Sequence, residues 1–347
     1  MPDGIAPAAR TAGQALGWGV IGFGWVARDY GVPGLQAAGG RLVAVADPDE
    51  TARADAAALG ARAYTGTAQL LADPAVQAVY VATPNHLHRA AVEAAAAAGK
   101  AVLCEKPVAA TLEDAEALAG AVRRSGIRYG TAFDQRHHPA HAAVRDAIAA
   151  GAIGTVTAIR IAYACWVDAG WTRDNWRADP ARAGGGALMD LAPHGLDLVQ
   201  YLLGEPLVEI AALTQQRVQA YAVDDGAMLI GRTASGVLVQ LHVAYNCPEA
   251  LPRRQLEVLG TTGQLLAERT MGQTPGGTLH RIDGRLGLRI PLPVPDAGAS
   301  PFMRQMAAFA AWVRGEGAAD AFSIERDLHT MRLLARAYAA AESPACR

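Results

Sequence analysis

Three polar side chains interrupt an apolar segment near the middle of the chain. In GGGALMDLAPHGLDLVQYLLG, residues 184–204, Asp190, His194 and Asp197 stand four and three apart. On a helix that spacing puts them on one face, which then cannot be an apolar stripe and has to meet polar groups. A neutral imidazole suits proton transfer, because its reference pKa of about 6.5 lies near neutrality. Asp190 would orient the imidazole or a bound hydroxyl and stabilise the cation, while Asp197 is expected to be a hydrogen-bonded core residue. Lys106, in AVLCEKP, adds an ammonium that Pro107 presents from a restrained, extended turn. It would steady negative charge on a substrate oxygen or share in moving the proton, although Glu105 and Lys106 also read as an ordinary surface pair. Lys106, Asp190 and His194 are the candidate catalytic residues.

A second set of residues suits a phosphate-bearing ligand. WGVIGFGWVARDY carries Gly22, Gly24 and Ala27 in the order G-x-G-x-x-A, after a run with strand character and before one with helix character. Gly22 would permit the tight turn, Gly24 would let the backbone approach a pyrophosphate, and Ala27 would allow close helix packing. LVAVAD ends in Asp47, twenty residues after Ala27. A carboxylate there accepts both ribose hydroxyls and repels a 2′-phosphate, so NAD is expected over NADP, with nearby Arg53 the residue that argues otherwise. Read locally, Asp47 is also a turn or cap residue before PDETARA, and Asn85 in VATPNHLH is also a helix cap. The cofactor-binding candidates are Gly22, Phe23, Gly24, Trp25, Val26, Asp47, Thr83, Asn85, His88, Glu105 and Lys106.

The loop YACWVDAGWTRDNWRADPARAGGG brings Trp166, Trp171, Arg173, Trp176 and Arg177 ahead of the helix. Aromatic faces and guanidinium donors suit a polyhydroxylated ring such as a sugar or cyclitol, with at least one Trp expected to pack beneath a sheet. FDQRHHPAH adds Gln135 and Arg136, expected at the mouth of the cleft. Its histidines lack the Glu of H-E-x-x-H and a third ligand, so no metal is expected. The substrate-binding candidates are Lys106, Arg136, Trp166, Trp176, Arg177, Asp190 and His194.

The elements that must position these residues fall into two halves. From Trp18 to about residue 150, the strand-like runs WGVIG, RLVAVAD, AVYVAT, AVLCEKP and IRYGTAF alternate with Ala-rich helical stretches. That alternation predicts an α/β, doubly wound parallel sheet of the Rossmann type, covered on both faces. Later runs such as TVTAIRIAYACW, LVEIAALTQQRV and GVLVQLHVAY have little helix between them, which predicts an α+β domain on a mostly antiparallel open sheet. Closing helices are expected near 301–314 and 324–341, and MGQTPGGTLHRIDGRLG is expected to be an exposed hairpin or loop. The expected divisions are an N-terminal extension (1–16), a dinucleotide-binding domain (17–150) and a substrate and oligomerisation domain (151–347).

GVIGFGWVA, VATPNHLH, CEKP and GGGALMDLAPHGLDLVQYLLG, in that order, resemble the glucose-fructose oxidoreductase, inositol dehydrogenase and rhizopine-catabolism family, Gfo/Idh/MocA, over nearly the whole chain from Trp18 onward. The resemblance implies a nicotinamide cofactor, a C-terminal sheet used to form homodimers or homotetramers, and roles for Lys106, Asp190 and His194. It implies hydride transfer between nicotinamide and a secondary alcohol of a sugar, sugar derivative or cyclitol. Two other functions stay open: a glycoside hydrolase that keeps NAD bound and works by transient oxidation and elimination, and a dinucleotide-binding regulator, against which the catalytic trio argues. The chain departs from the family pattern at Ala192 and Pro193, where a glycine is common two residues before the histidine; Pro193 predicts an irregular first turn.

Composition agrees with a globular enzyme and narrows the partners. At 347 residues the chain exceeds the roughly 250 to 300 residues of a single core. Thirty-one Lys plus Arg balance 33 Asp plus Glu, with no basic stripe, so nucleic acid is not an expected partner. No stretch reaches the roughly 18 apolar residues that span a bilayer, the start lacks a signal-peptide pattern, and the four cysteines are scattered; a reducing cytoplasm is expected.

Overall fold

A computed structural model describes residues 15–168, 170, 175–317 and 321–342. Residues 1–14 of the expected extension, and Trp171 and Arg173 of the aromatic loop, lie outside them. In the first half β1 (Gly17–Ile21), β2 (Arg41–Ala46), β3 (Arg62–Tyr64), β4 (Ala78–Val81), β5 (Ala101–Cys104) and β6 (Tyr129–Thr131) form a six-stranded sheet in the order β3-β2-β1-β4-β5-β6. Every pairing is parallel. The strand order reverses between β1 and β4, which opens a crevice at their carboxyl ends.

The two-residue period of the strands sorts their side chains into two cores. Trp18, Val20, Tyr80 and Leu103 face one side; Ile21, Val79, Val81 and Val102 face the other, where Val92 and Leu118 of flanking helices cover them. The first side is closed partly by the helix Pro301–Arg314, which returns from far along the sequence and places Phe309 with its ring 5.7 Å from that of Trp18. The last part of the chain therefore helps to build the core of the first sheet.

In the second half β7 (Val156–Ala164), β8 (Leu207–Gln215), β9 (Gly226–Thr233), β10 (Leu238–Ala244), β11 (Arg254–Gly260), β12 (Gly263–Glu268), β13 (Thr278–Asp283) and β14 (Arg289–Pro291) form an eight-stranded sheet, ordered β14-β13-β12-β11-β7-β10-β9-β8. β7 and β10 pair in parallel; the other pairings are antiparallel. The helix Ala187–Leu203 lies against this sheet, with Leu188, Leu196, Leu198 and Val199 fully buried, and it runs unbroken through Pro193 where an irregular turn was expected.

That helix begins where no side chain fits. A Cβ at Gly184, Gly185 or Gly186 would stand 2.0–2.1 Å from the Ala110 carbonyl oxygen, the Tyr338 hydroxyl or the Asp224 carbonyl oxygen. The glycines thus serve close approach to protein. The Asp224 carboxylate accepts the amides of Gly186 and Leu188 at 2.8 Å each, capping the helix from 36 to 38 residues away. The segment expected as an exposed hairpin divides in two: Met271 is fully buried, and only β13 and β14 make the hairpin. Among the described residues no helix is long and apolar enough to cross a membrane.

Phe309 packs against Trp18, Trp312 and Phe322. Phe309→Ala is expected to lower unfolding free energy by about 3 to 5 kcal/mol in urea titration, as for other buried aromatics cut to Ala; a change below about 1 kcal/mol would contradict this account of the core.

Candidate active site

The dinucleotide turn follows β1 directly. Gly22 adopts φ +85°, a conformation that side chains disfavour. A Cβ at Gly24 would meet nothing within 4 Å, so its backbone is open to the crevice. A helix starts at Trp25, with a widened turn at Ala27–Gly31. The Asp47 carboxylate, at the end of β2, accepts the amides of Phe23 (2.7 Å) and Asp49 (2.8 Å) and so braces the turn. Arg53 folds back to donate to the carbonyls of Asp47 (2.9 Å) and Pro48 (2.7 Å). The Thr83 hydroxyl, after β4, is buried without a hydrogen-bond partner among the described residues. An open glycine backbone, a helix N-terminus, a fixed carboxylate and an unsatisfied buried hydroxyl fit a dinucleotide along this crevice.

The crevice continues into a cleft of about 540 Å³, whose walls include Gly24, Trp25, Val26, Thr83, Asn85, Glu105, Lys106, Trp166, Trp176, Arg177, Asp190 and His194. Here the two halves meet. Lys106, just past β5, donates to Asp190 Oδ1 at 2.6 Å and to the Asp190 carbonyl at 2.9 Å. Tyr245, just past β10, donates to Asp190 Oδ2 at 2.7 Å. Burial alone would raise the Asp190 carboxyl, but the charges of Lys106 and Arg177 and the hydrogen bonds from Lys106 and Tyr245 hold it well below the usual carboxylate range.

One helical turn on, His194 faces a different carboxylate. Its Nδ1 lies 3.1 Å from Asp134 Oδ1, within ion-pair range though without hydrogen-bond alignment. Tyr163 meets the imidazole edge-on at 5.4 Å. Burial pushes the Asp134 carboxyl up, but His194, Lys106 and the Gln135 amide at 2.9 Å outweigh it, so the carboxyl stays below its ordinary value. Asp190 therefore serves Lys106, and Asp134 takes the place beside the imidazole that the helical spacing had offered to Asp190. Asp134 and Tyr245 are absent from the sequence-derived candidates; the signal for Asp134 was its place beside Gln135 in FDQRHHPAH.

Four expectations need correction. Arg136 does not reach the cleft mouth: it is buried and paired two-pronged with Asp197, Nε to Oδ2 at 2.5 Å and Nη2 to Oδ1 at 2.6 Å, because a buried guanidinium requires a counter-ion. Gln135 is fully buried as well, donating to the Gly272 carbonyl at 2.9 Å. His88 does not face the cofactor crevice. It is fully buried, with Nδ1 2.9 Å from the Pro107 carbonyl and Nε2 3.0 Å from that of Thr83, so it joins two turns of the site from behind; burial lowers its pKa to about 4 against the pull of those carbonyls. The Phe23 side chain lies in the core, leaving only its backbone at the turn.

Glu105 and Asn85 line the cleft and also brace it. Glu105 accepts from the Tyr80 hydroxyl at 2.5 Å; burial raises it to about 7 while Tyr80 and Lys106 pull it down. The Asn85 amide donates to the Ala183 carbonyl at 2.8 Å, tying the first half to the turn of helix before Ala187–Leu203. Arg177 lies over the Trp176 ring at 4.4 Å and, farther off, over that of Trp25 at 5.9 Å, at the rim. Among the described residues no cluster of three or more His, Cys, Asp or Glu could hold a metal ion.

Two family models match the chain, one after the other. Residues 16–133 match the model of an oxidoreductase family with an NAD-binding Rossmann fold, and residues 141–266 match the GFO/IDH/MocA C-terminal domain. The 1,5-anhydro-D-fructose reductase of Ensifer adhaerens is 36% identical over 303 residues, 86% of this chain and 89% of the relative. The D-apiose dehydrogenase of Paraburkholderia graminis is 32% identical over 266 residues, 75% of this chain and 70% of the relative. The crystal structure of aldose-aldose oxidoreductase from Caulobacter crescentus, complexed with glycerol, is 25% identical and superposes with a TM-score of 0.83, covering 94% of this chain and 98% of that one. With both halves matched and the nucleotide turn, lysine and histidine gathered in one cleft, the chain belongs to the Gfo/Idh/MocA family of oxidoreductases, with an NAD-binding Rossmann domain at its N-terminal side.

Proposed function

We propose that this oxidoreductase transfers hydride between NAD and a secondary alcohol of a sugar, sugar derivative or cyclitol. The observation that carries the reading is the meeting of Lys106 from the first half with Asp190 and His194 from the second, in a cleft continuous with the dinucleotide turn. Sugar reductases and dehydrogenases among the relatives support the substrate class. The bound nicotinamide supplies the hydride acceptor or donor. His194 takes the hydroxyl proton in oxidation and returns it in reduction: Asp134 occupies the side of Nδ1, which leaves Nε2 for the substrate. Lys106, with two of its three donors spent on Asp190, keeps one for the substrate oxygen and steadies its negative charge. Trp166, Trp176 and Arg177 at the rim offer ring faces and donors to hydroxyl groups.

The cofactor preference follows from Asp47. Two backbone amides fix its carboxylate at the end of β2, so a 2′-phosphate would meet a negative charge that cannot turn away, while the nearby Arg53 guanidinium is engaged with backbone carbonyls. Pairing of two copies through the second sheet is supported by its outer face, where Val208, Leu213, Met228, Ile230 and Leu238 are exposed.

His194→Ala and Lys106→Ala are each expected to lower kcat by about 10² to 10⁴, with NAD affinity unchanged in a fluorescence titration; near-normal turnover in either rejects the assignment. Asp134→Asn, which keeps shape and removes charge, is expected to lower kcat by a smaller factor. NAD is expected to bind more tightly than NADP, with the gap narrowed in Asp47→Ser; the reverse order in the unmodified protein overturns the role given to Asp47. Light scattering at micromolar concentration is expected to give a dimer or tetramer mass, and a monomer mass would refute pairing through the sheet.

A further inference from the structure

One charged side chain in the cleft wall lacks a counterpart. Arg254, in β11, lines the cleft with Tyr163, Gln273 and Thr274. It stands directly across from Tyr163 on the antiparallel neighbour β7, with its guanidinium 6.0 Å from the centre of that ring. The same ring meets His194 at 5.4 Å, so guanidinium and imidazole flank one tyrosine. Gly272 makes the room: a Cβ there would lie 2.5 Å from Arg254 Nη1. Gln135, through the Gly272 carbonyl at 2.9 Å, holds that glycine in place, and the same amide nitrogen donates to Asp134.

The neighbouring cations are compensated. Lys106 has Asp190, and Arg253 has Glu249 at 2.9 Å and the Ala164 carbonyl at 3.1 Å. Arg254 joins no ion pair and its side chain donates no hydrogen bond among the described residues, while its Nε is buried without a partner. A partly buried guanidinium left this way is costly, and its planar fork matches a carboxylate or phosphate. The glycine turn that would hold the cofactor pyrophosphate follows β1 in the other sheet, whereas Arg254 shares its side of the cleft with Tyr163, next to His194.

Building on the proposed sugar oxidoreduction, we infer that the substrate carries an oxyanion, a carboxylate or a phosphate on the sugar, which Arg254 binds while the reacting carbinol lies between Lys106 and His194. Arg254 then sets both which molecule enters and which carbon faces the imidazole, since a bidentate contact fixes one end of the substrate.

The test is a calorimetric titration of the NAD-loaded full-length protein with D-glucuronate, D-glucose 6-phosphate and D-glucose. At least one charged ligand is expected to bind roughly 10- to 100-fold more tightly than glucose, the range for hydrogen bonds to a charged group. The gap is expected to close in both Arg254→Met and Arg254→Gln, with NAD binding retained as the check on folding. Preference for glucuronate identifies a carboxylate, and preference for the 6-phosphate a phosphate. Equal affinity for all three ligands, or a charged-ligand preference that survives in both variants, overturns the inference. Because the readout is binding, it is separate from failure of the hydride-transfer reading, which would show as no change in reduced nicotinamide with any substrate.

Discussion

The contact between the Lys106 ammonium and the Asp190 carboxylate, 2.6 Å long, joins groups held by different sheets. Lys106 leaves the end of β5, and Asp190 sits in the first turn of the helix that covers the second sheet. Either charge alone in this partly closed space would face a large desolvation cost; together, with Tyr245 on the far carboxylate oxygen, they are satisfied. The pair therefore ties the position of the helix to the nucleotide-binding edge. Asn85 reinforces the tie by donating to the Ala183 carbonyl, and His88 steadies the first-half side of it by joining the carbonyls of Thr83 and Pro107. The side chains that line the cleft here are already held by their neighbours.

Packing strengthens what this polar contact begins. The helix Pro301–Arg314 leaves the second sheet and buries Phe309 and Met306 in the core of the first, so the sheets are linked by apolar surface as well as by chain. Phe302, at the start of that helix, lies in the cleft wall beside Tyr30 of the nucleotide-turn helix, 5.3 Å between rings. The same helix thus serves the core and the edge of the site.

Much of this was legible before any coordinates. Strand runs alternating with helices predict the parallel sheet; local spacing marks the glycine turn, Asp47 and the Asp190–His194 pair, while Lys106, also readable as a surface residue, stood out through the family resemblance. What stayed hidden were partnerships across long stretches of chain. Nothing near Asp134 in sequence points to His194, sixty residues on, and Tyr245 comes from yet another strand. Arg136 was expected at the cleft mouth because its counter-ion, Asp197, lies 61 residues away, and a buried pair leaves no local pattern. The Gly- and Pro-rich run after Glu268 read as exposed for the same reason: turn residues announce a bend, but not that Gln135 draws its first part inward.

The three glycines ahead of the helix Ala187–Leu203 leave room only for an early carbonyl at Ala110, a middle residue at Asp224 and a late one at Tyr338. Their seat is therefore assembled from segments that leave a ribosome at widely separated times. The six strands of the first sheet are all made by Thr131, yet their core waits for Phe309, and the helix Ala187–Leu203 waits longer still, for Tyr338 of the last helix, Ile324–Glu342, to reach its start. During synthesis, then, neither the core of the first sheet nor the seat of this helix can close until the helices Pro301–Arg314 and Ile324–Glu342 have been delivered.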